Sequence, residues 1–157
     1  MQKCYTKLKE RGIALTSQRA YILKSMQTRT DHPDVEAVYT SMRTDLPAIS
    51  LDTVYRTLHL FANEGLVKIL AVPTHRFRFE GRLHEHDHFL CTQCETISDV
   101  DCSDLPRLST PAAVQAFGEV YAQQRVYLGI CHTCAAKKVP SDGAKRGKSA
   151  SKGAASV

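Results

Sequence analysis

A chain of 157 residues has room for one or two small domains, each with a modest core. It has no run of about 18 apolar residues and no signal-peptide pattern at its start, so no helix is expected to span a membrane and a soluble, cytoplasmic protein is expected. The net charge of +5 is unevenly spread: residues 1–80 carry 12 Lys+Arg against 8 Asp+Glu, residues 81–136 carry 3 against 7, and residues 137–157 carry 6 against 1. A basic first part beside an acidic, ligand-rich second part suggests a polyanion-binding domain joined to a cation-binding one.

Residues 2–11 predict a short helix with Tyr5 and Leu8 inward, ended by Gly12. Thr16 is an N-cap for a second helix over 17–28, with Ala20, Ile22, Leu23 and Met26 on its apolar side and Arg19 and Lys24 outside. His32-Pro33-Asp34 reads as a turn and helix start leading into a helix over 35–44, after which Pro47 breaks the chain. Ser50 caps the most legible helix. Leu51, Val54, Leu58 and Phe61 recur on one side, and Asp52, Tyr55, Arg56, His59 and Asn63 lie on the other; Gly65 stops it. A Tyr and an Arg on the outer face suit the reading helix of a helix-turn-helix, though an ordinary surface helix has the same pattern. Residues 66–72 and 75–79 then predict two strands around Pro73-Thr74. Lys68, Arg76 and Arg78 are expected to face phosphates, and helices followed by a basic hairpin make a winged helix.

Chemistry concentrates in residues 84–94. On an extended strand Glu80, His84, His86 and His88 fall on one face and Cys91 on the other, so one strand can serve two centres. Cys91-x-x-Cys94 is repeated as Cys131-x-x-Cys134, and two such pairs supply the four thiolates of a structural zinc. A redox pair is the alternative, but it lacks the βαβ context that chemistry uses. With Thr92 and Gln93 as a two-residue turn, His86 would oppose Asp99 and His88 would oppose Ile97. Nitrogen and carboxylate donors without a thiolate suit iron, manganese or zinc. Beyond the cysteines, 97–100 reads as a return strand, 109–117 as a helical stretch and 119–130 as partly strand-like. Residues 137–157 lack the apolar content to fold and read as a disordered basic tail.

Leu15-Thr-Ser-Gln-Arg19, His32-Pro-Asp-Val-Glu-Ala-Val-Tyr39, Thr53-Val-Tyr-Arg-Thr-Leu58, Gly65-Leu-Val67, His86-Asp-His88 and both CxxC pairs together resemble the ferric uptake regulator (Fur) family, from about Lys3 to Cys134. The resemblance implies an α+β chain: an N-terminal winged helix-turn-helix domain (1–80), a small α/β dimerisation domain with a Cys4 zinc site (81–136), and the tail. It implies a dimeric, metal-dependent repressor bound to double-stranded operator DNA. By the same likeness, Cys91, Cys94, Cys131 and Cys134 hold structural Zn2+, while His32, Glu80, His86, His88 and Asp99 form a regulatory site for Fe2+ or Mn2+, with Zn2+ able to enter in vitro. Tyr55 and Arg56 match the base-contacting pair, with Lys68 and Arg19 beside them on the DNA-binding side. His84 matches no ligand.

Two departures refine the expectation. The additional dimerisation-domain metal site of some members is incomplete, because Asp87 is present but Gln123 stands where a histidine is expected. Glu80 stands where zinc-uptake regulators typically have cysteine, and Asp99 is most like the peroxide-sensing (PerR) branch. A peroxide-responsive iron or manganese regulator is therefore the leading expectation, with an iron-uptake or zinc-uptake regulator as the alternative. A mononuclear metalloenzyme is less favoured, since five protein ligands leave little room for substrate. A zinc-clipped interaction module would leave the Tyr55-Arg56 face unexplained.

Overall fold

The computed structural model describes residues 2–101, 109–121 and 123–138; the expected tail beyond residue 138, together with Cys102, lies outside the described residues. The chain runs α1 (Gln2–Glu10), α2 (Ser17–Thr28), α3 (Val35–Met42), α4 (Leu51–Asn63), β1 (Lys68–Leu70), β2 (Arg78–Glu80), β3 (Asp87–Cys91), β4 (Ile97–Val100), α5 (Ala112–Gln115), β5 (Val126–Gly129) and α6 (His132–Lys138). The expected α+β architecture is borne out.

The helix starts follow from their caps. Thr16, Asp34 and Ser50 each accept a hydrogen bond from the amide three residues on, Arg19, Ala37 and Thr53 respectively, satisfying a donor that the first turn leaves unpaired. Gly12 and Gly65 end α1 and α4 with φ of 68° and 61°, the left-handed conformation that glycine adopts without strain. Helix α4 packs against α2 and α3 around a core of Leu8, Ile22, Leu23, Met26, Val38, Val54, Leu58, Phe61 and Phe79. Its buried stripe is Val54, Thr57, Leu58 and Phe61; Leu51, in the first turn, stays 42% exposed rather than inward as the pattern suggested.

Strands β1 and β2 pair antiparallel with Lys68 opposite Glu80, forming the ribbon beside the helices. The ribbon is shorter than expected. Residues 71–77 leave the ladder because Pro73 has no N–H to give, Thr74 folds back through its own amide to Val72 O, and Arg76 is drawn to Asp34 and Glu36. The second sheet has the order β4-β3-β5, with β3 antiparallel to β4 and parallel to β5. Leu70 at the end of the ribbon packs with Leu90 and Ile97 of this sheet, and Ala71 N donates to Gln124 Oε1, which joins the two parts of the chain.

The β3–β4 hairpin corrects the expected register. His88 faces Asp99 and Leu90 faces Ile97, so the turn holds four residues, 92–95, instead of two. Cys94 must curl back toward Cys91 to share a centre with it. Glu95, at φ 56°, and its amide bond to Cys91 O complete that curl. Helix α6, which the sequence pattern did not suggest, carries Cys134 and includes Lys137 and Lys138, the first two residues of the expected tail.

Candidate metal centres

The β3–β4 turn and the start of α6 bring one Sγ each from Cys91, Cys94, Cys131 and Cys134 within 4.8 Å of one another. Cys94 Sγ and Cys131 Sγ are 3.9 Å apart. A tetrahedron with metal–sulfur bonds of about 2.3 Å has edges of roughly 3.8 Å, so the spacing suits zinc without rearrangement. Cys131 N–H donates to Cys91 Sγ at 3.3 Å. That bond, with the amides of Cys94 and Gln93, lowers the Cys91 thiol to about 6 against the opposing effect of burial. Hydrogen bonding to Cys131 and burial push Cys134 up to about 12. Four thiols this close cannot all ionise without a cation among them, and two of them are buried.

The second cluster is assembled from distant segments. His32, in the turn before α3, Glu80 at the end of β2, His86 and His88 around β3, and Asp99 on β4 each offer one donor atom within the same 4.8 Å limit. Glu80 Oε2 is 2.8 Å from His32 Nε2, 3.2 Å from His86 Nε2 and 3.6 Å from His88 Nε2. Asp99 Oδ1 is 2.8 Å from His32 Nε2 and 3.4 Å from His86 Nε2. His32, Glu80 and His88 are at most 5% exposed. Yet His32 Nε2, His88 Nε2 and Asp99 Oδ1 are buried without a hydrogen bond. Buried polar atoms that converge without bonding one another are the signature of ligands around a cation. His86 Nδ1 donates to His84 O at 2.9 Å, turning its Nε2 toward the cluster, as metal-bound imidazoles are commonly held.

Electrostatics reinforce that geometry. Burial would raise the Glu80 pKa, but the His32 and His88 rings and the Arg82 amide hold its carboxyl far below the usual range. Burial would lower His32, and the Glu80 and Asp99 carboxylates outweigh it, leaving a net raised pKa. His32 also sits at φ 47°, a conformation rare for a residue with a side chain. Pro33 O accepts from Phe79 N at 3.0 Å, tying this turn to β2 one residue before Glu80.

Other expected residues are placed as follows. Tyr55 is 46% exposed on α4, and Arg56, its side chain 78% exposed, is steadied by Asp52 at 3.0 Å one turn earlier. Arg19 turns back to Ala14 O at 2.7 Å, and Lys68 Nζ lies 3.5 Å from His84 O. Arg78, its side chain 19% exposed, does not face outward to phosphates as expected, whereas Arg76 stays on the surface with its side chain 55% exposed. At that surface Arg76 bonds Asp34 and Glu36, while Arg78 reaches His32 O and Glu95 around the second cluster. Asp87 pairs with Arg125 at 3.2 Å and Gln123 bonds Thr110, so no third donor cluster forms there among the described residues. Arg82, overlooked in the sequence, touches both carboxylates of the second cluster; only the fold brings it there.

Residues 10–119 match the model of the Ferric uptake regulator family. The chain belongs to the ferric uptake regulator family. As a Fur-family member it is a metal-dependent, DNA-binding transcription regulator. A peroxide-responsive repressor, PerR, of Staphylococcus saprophyticus is 31% identical to this Fur-family chain over 135 residues, covering 85% of this chain and 90% of that protein. The solved ferric uptake regulator of Helicobacter pylori, described with three functional metal binding sites, shares the fold at a TM-score of 0.66, with 18% identity over 90% of this chain and 93% of its own. A zinc-bound manganese uptake regulator is similar at a TM-score of 0.62 and 26% identity, covering 81% of this Fur-family chain and 97% of its own. No helix among the described residues is long and apolar enough to cross a membrane.

Proposed function

We propose that this Fur-family chain is a peroxide-responsive repressor that binds operator DNA as a homodimer when iron or manganese occupies the His32, Glu80, His86, His88 and Asp99 cluster. Zinc in the four-cysteine cluster has a structural role. The observation that carries the reading is the composition of the second cluster: His32 comes from the helical part, His88 and Asp99 from the second sheet, and His86 from the residue just before β3. One cation gripping all of them fixes the angle between the two parts. A ligand shifts such an equilibrium only when it favours one arrangement, which a donor set split across a hinge provides. The likeness to PerR and the aspartate at position 99 support peroxide over plain iron sensing. Iron(II) held there would supply an electron to peroxide beside oxidisable imidazoles. In this reading the site serves sensing and the protein is not an enzyme.

Exposed apolar side chains of the second part support pairing of two copies: Phe117 is 92% and Tyr121 88% exposed, with Leu128 and Ile130 nearby in sequence. Tyr55 and Arg56 read bases from α4, with Lys68 and Arg19 near the phosphates. A cytoplasmic location follows from action on chromosomal DNA.

The test is a gel shift with operator DNA, using anaerobically prepared protein with Fe2+, Mn2+ or no added metal, followed by brief peroxide and mass spectrometry. The expected result is metal-dependent binding, lost from the iron form after peroxide with one oxygen atom gained on His32 or His86, and retained by the manganese form. Unmodified histidines with DNA binding intact would leave an iron or manganese regulator that does not sense peroxide.

A further inference from the structure

Both carboxylates of the second cluster have two oxygens with different fates, and one residue accounts for the outer oxygen of each. Glu80 Oε2 faces the three imidazoles, while Glu80 Oε1 accepts the Arg82 backbone N–H at 2.5 Å. Asp99 Oδ1 is buried, unbonded and close to His32 and His86, while Asp99 Oδ2 is paired with Arg82 Nη1. The guanidinium is oriented further by Nη2, 3.3 Å from His84 Nε2. Arg82 is held in place by Gly81. A Cβ on Gly81 would lie 1.9 Å from Met26 O, so this segment runs hard against the end of α2.

We propose that Arg82 is a positioning residue that restricts Glu80 and Asp99 to one donor oxygen each. The inference rests on the metal-site reading above. A carboxylate with a free outer oxygen can rotate to chelate a cation through both, whereas an oxygen already paired with a guanidinium must break a charge-assisted bond first. With both outer oxygens committed, the protein offers five donor atoms. Iron and manganese sites with oxygen and nitrogen ligands are commonly six-coordinate, so one position stays open to a small molecule. The two restraints are separable by mutation. Side-chain replacement at Arg82 frees Asp99 and leaves the backbone bond to Glu80.

The experiment compares the full-length zinc-containing protein with Arg82→Met, which keeps most of the stem, and Arg82→Lys, which restores a cation. Each is loaded with Mn2+ for crystallography and with Co2+ for visible absorption. The expected result is one Asp99 oxygen on manganese in the unmutated protein and both in Arg82→Met. The cobalt bands should weaken in Arg82→Met, as added coordination makes the site more symmetric, and return toward the starting spectrum in Arg82→Lys. If Arg82→Met does not fold, judged by zinc content and circular dichroism, Arg82→Ala is read in its place. A bidentate Asp99 in the unmutated protein, or a single-oxygen Asp99 with unchanged cobalt bands in the variant, overturns the proposal. Absence of Mn2+ and Co2+ from this cluster in the unmutated protein overturns the metal-site reading itself, and the inference with it.

Discussion

Tyr55, Arg56 and Lys68 differ in what each is placed to do. Arg56 is exposed on α4 with its guanidinium steadied by Asp52, so in the proposed base contact it would lose little freedom. Arg56→Ala should cost about 1–3 kcal/mol on the operator and relax sequence preference, whereas Lys68→Ala should weaken all sequences alike and lower the salt dependence. Equal losses for Arg56→Ala on specific and random DNA would remove α4 as the reader. His32 is the only donor of its cluster from the helical part ahead of the ribbon. His32→Ala should leave zinc content and oligomeric state unchanged while abolishing metal-activated DNA binding, measured by metal analysis, light scattering and gel shift on the same preparation.

The helices depend on their caps and the ribbon on its ties to them. Asp34 accepts from Ala37 N at 2.7 Å and also pairs with Arg76 at 2.9 Å, so it starts α3 and anchors the loop between β1 and β2. Asp34→Ala should destabilise the protein by about 1 kcal/mol through the cap alone, seen as a lower urea midpoint. Burial works to raise the Asp34 pKa, and the Ala37 amide and Arg76 more than offset it, so the folded value lies below the ordinary 3.8. The sign follows directly: its contribution is fully present above the unfolded value and is lost as pH falls through the folded one. The urea midpoints of the parent and Asp34→Ala should therefore converge as pH falls below the ordinary 3.8 and through the lower folded value. Gly81 is the corresponding point in β2's continuation. Gly81→Ala puts a methyl into the Met26 carbonyl and should weaken Mn2+ binding without altering zinc content.

Among the described residues the helices and ribbon meet the three-stranded sheet at Leu70, at the Ala71–Gln124 bond and at the second cluster. The apolar cluster of the sheet β4-β3-β5 is, among the described residues, Leu70, Leu90 and Ile97 with Val72 and Val126 packed against it, a small core for that part. A structural zinc contributes on the order of 10 kcal/mol to folding in small domains of this kind. Cys94→Ser or Cys131→Ser should therefore unfold or monomerise the second unit, read by zinc content, near-UV circular dichroism and sedimentation. A variant that keeps one tightly bound zinc and its oligomeric state would argue against four-cysteine ligation.

Features that repeat at short range were legible in the sequence. Thr16, Asp34 and Ser50 marked the helix starts because a cap acts on an amide three residues away, and the α2 bounds follow from Thr16. The two CxxC pairs declared their chemistry by spacing, and strand parity put His86 and His88 on one face. Tertiary structure decided what long-range contact decides. His32 read as a solvated turn residue until the likeness to a family gave it a role, since nothing local links it to Glu80. The His88–Asp99 register depended on Cys94 curling back to a centre completed by α6. Arg78 is expected at DNA by charge alone, yet acceptors around the second cluster claim it. Arg82 carries no sequence signal, because a guanidinium beside a carboxylate ligand is a matter of position, and position here is set by Gly81 packed against the last turn of α2.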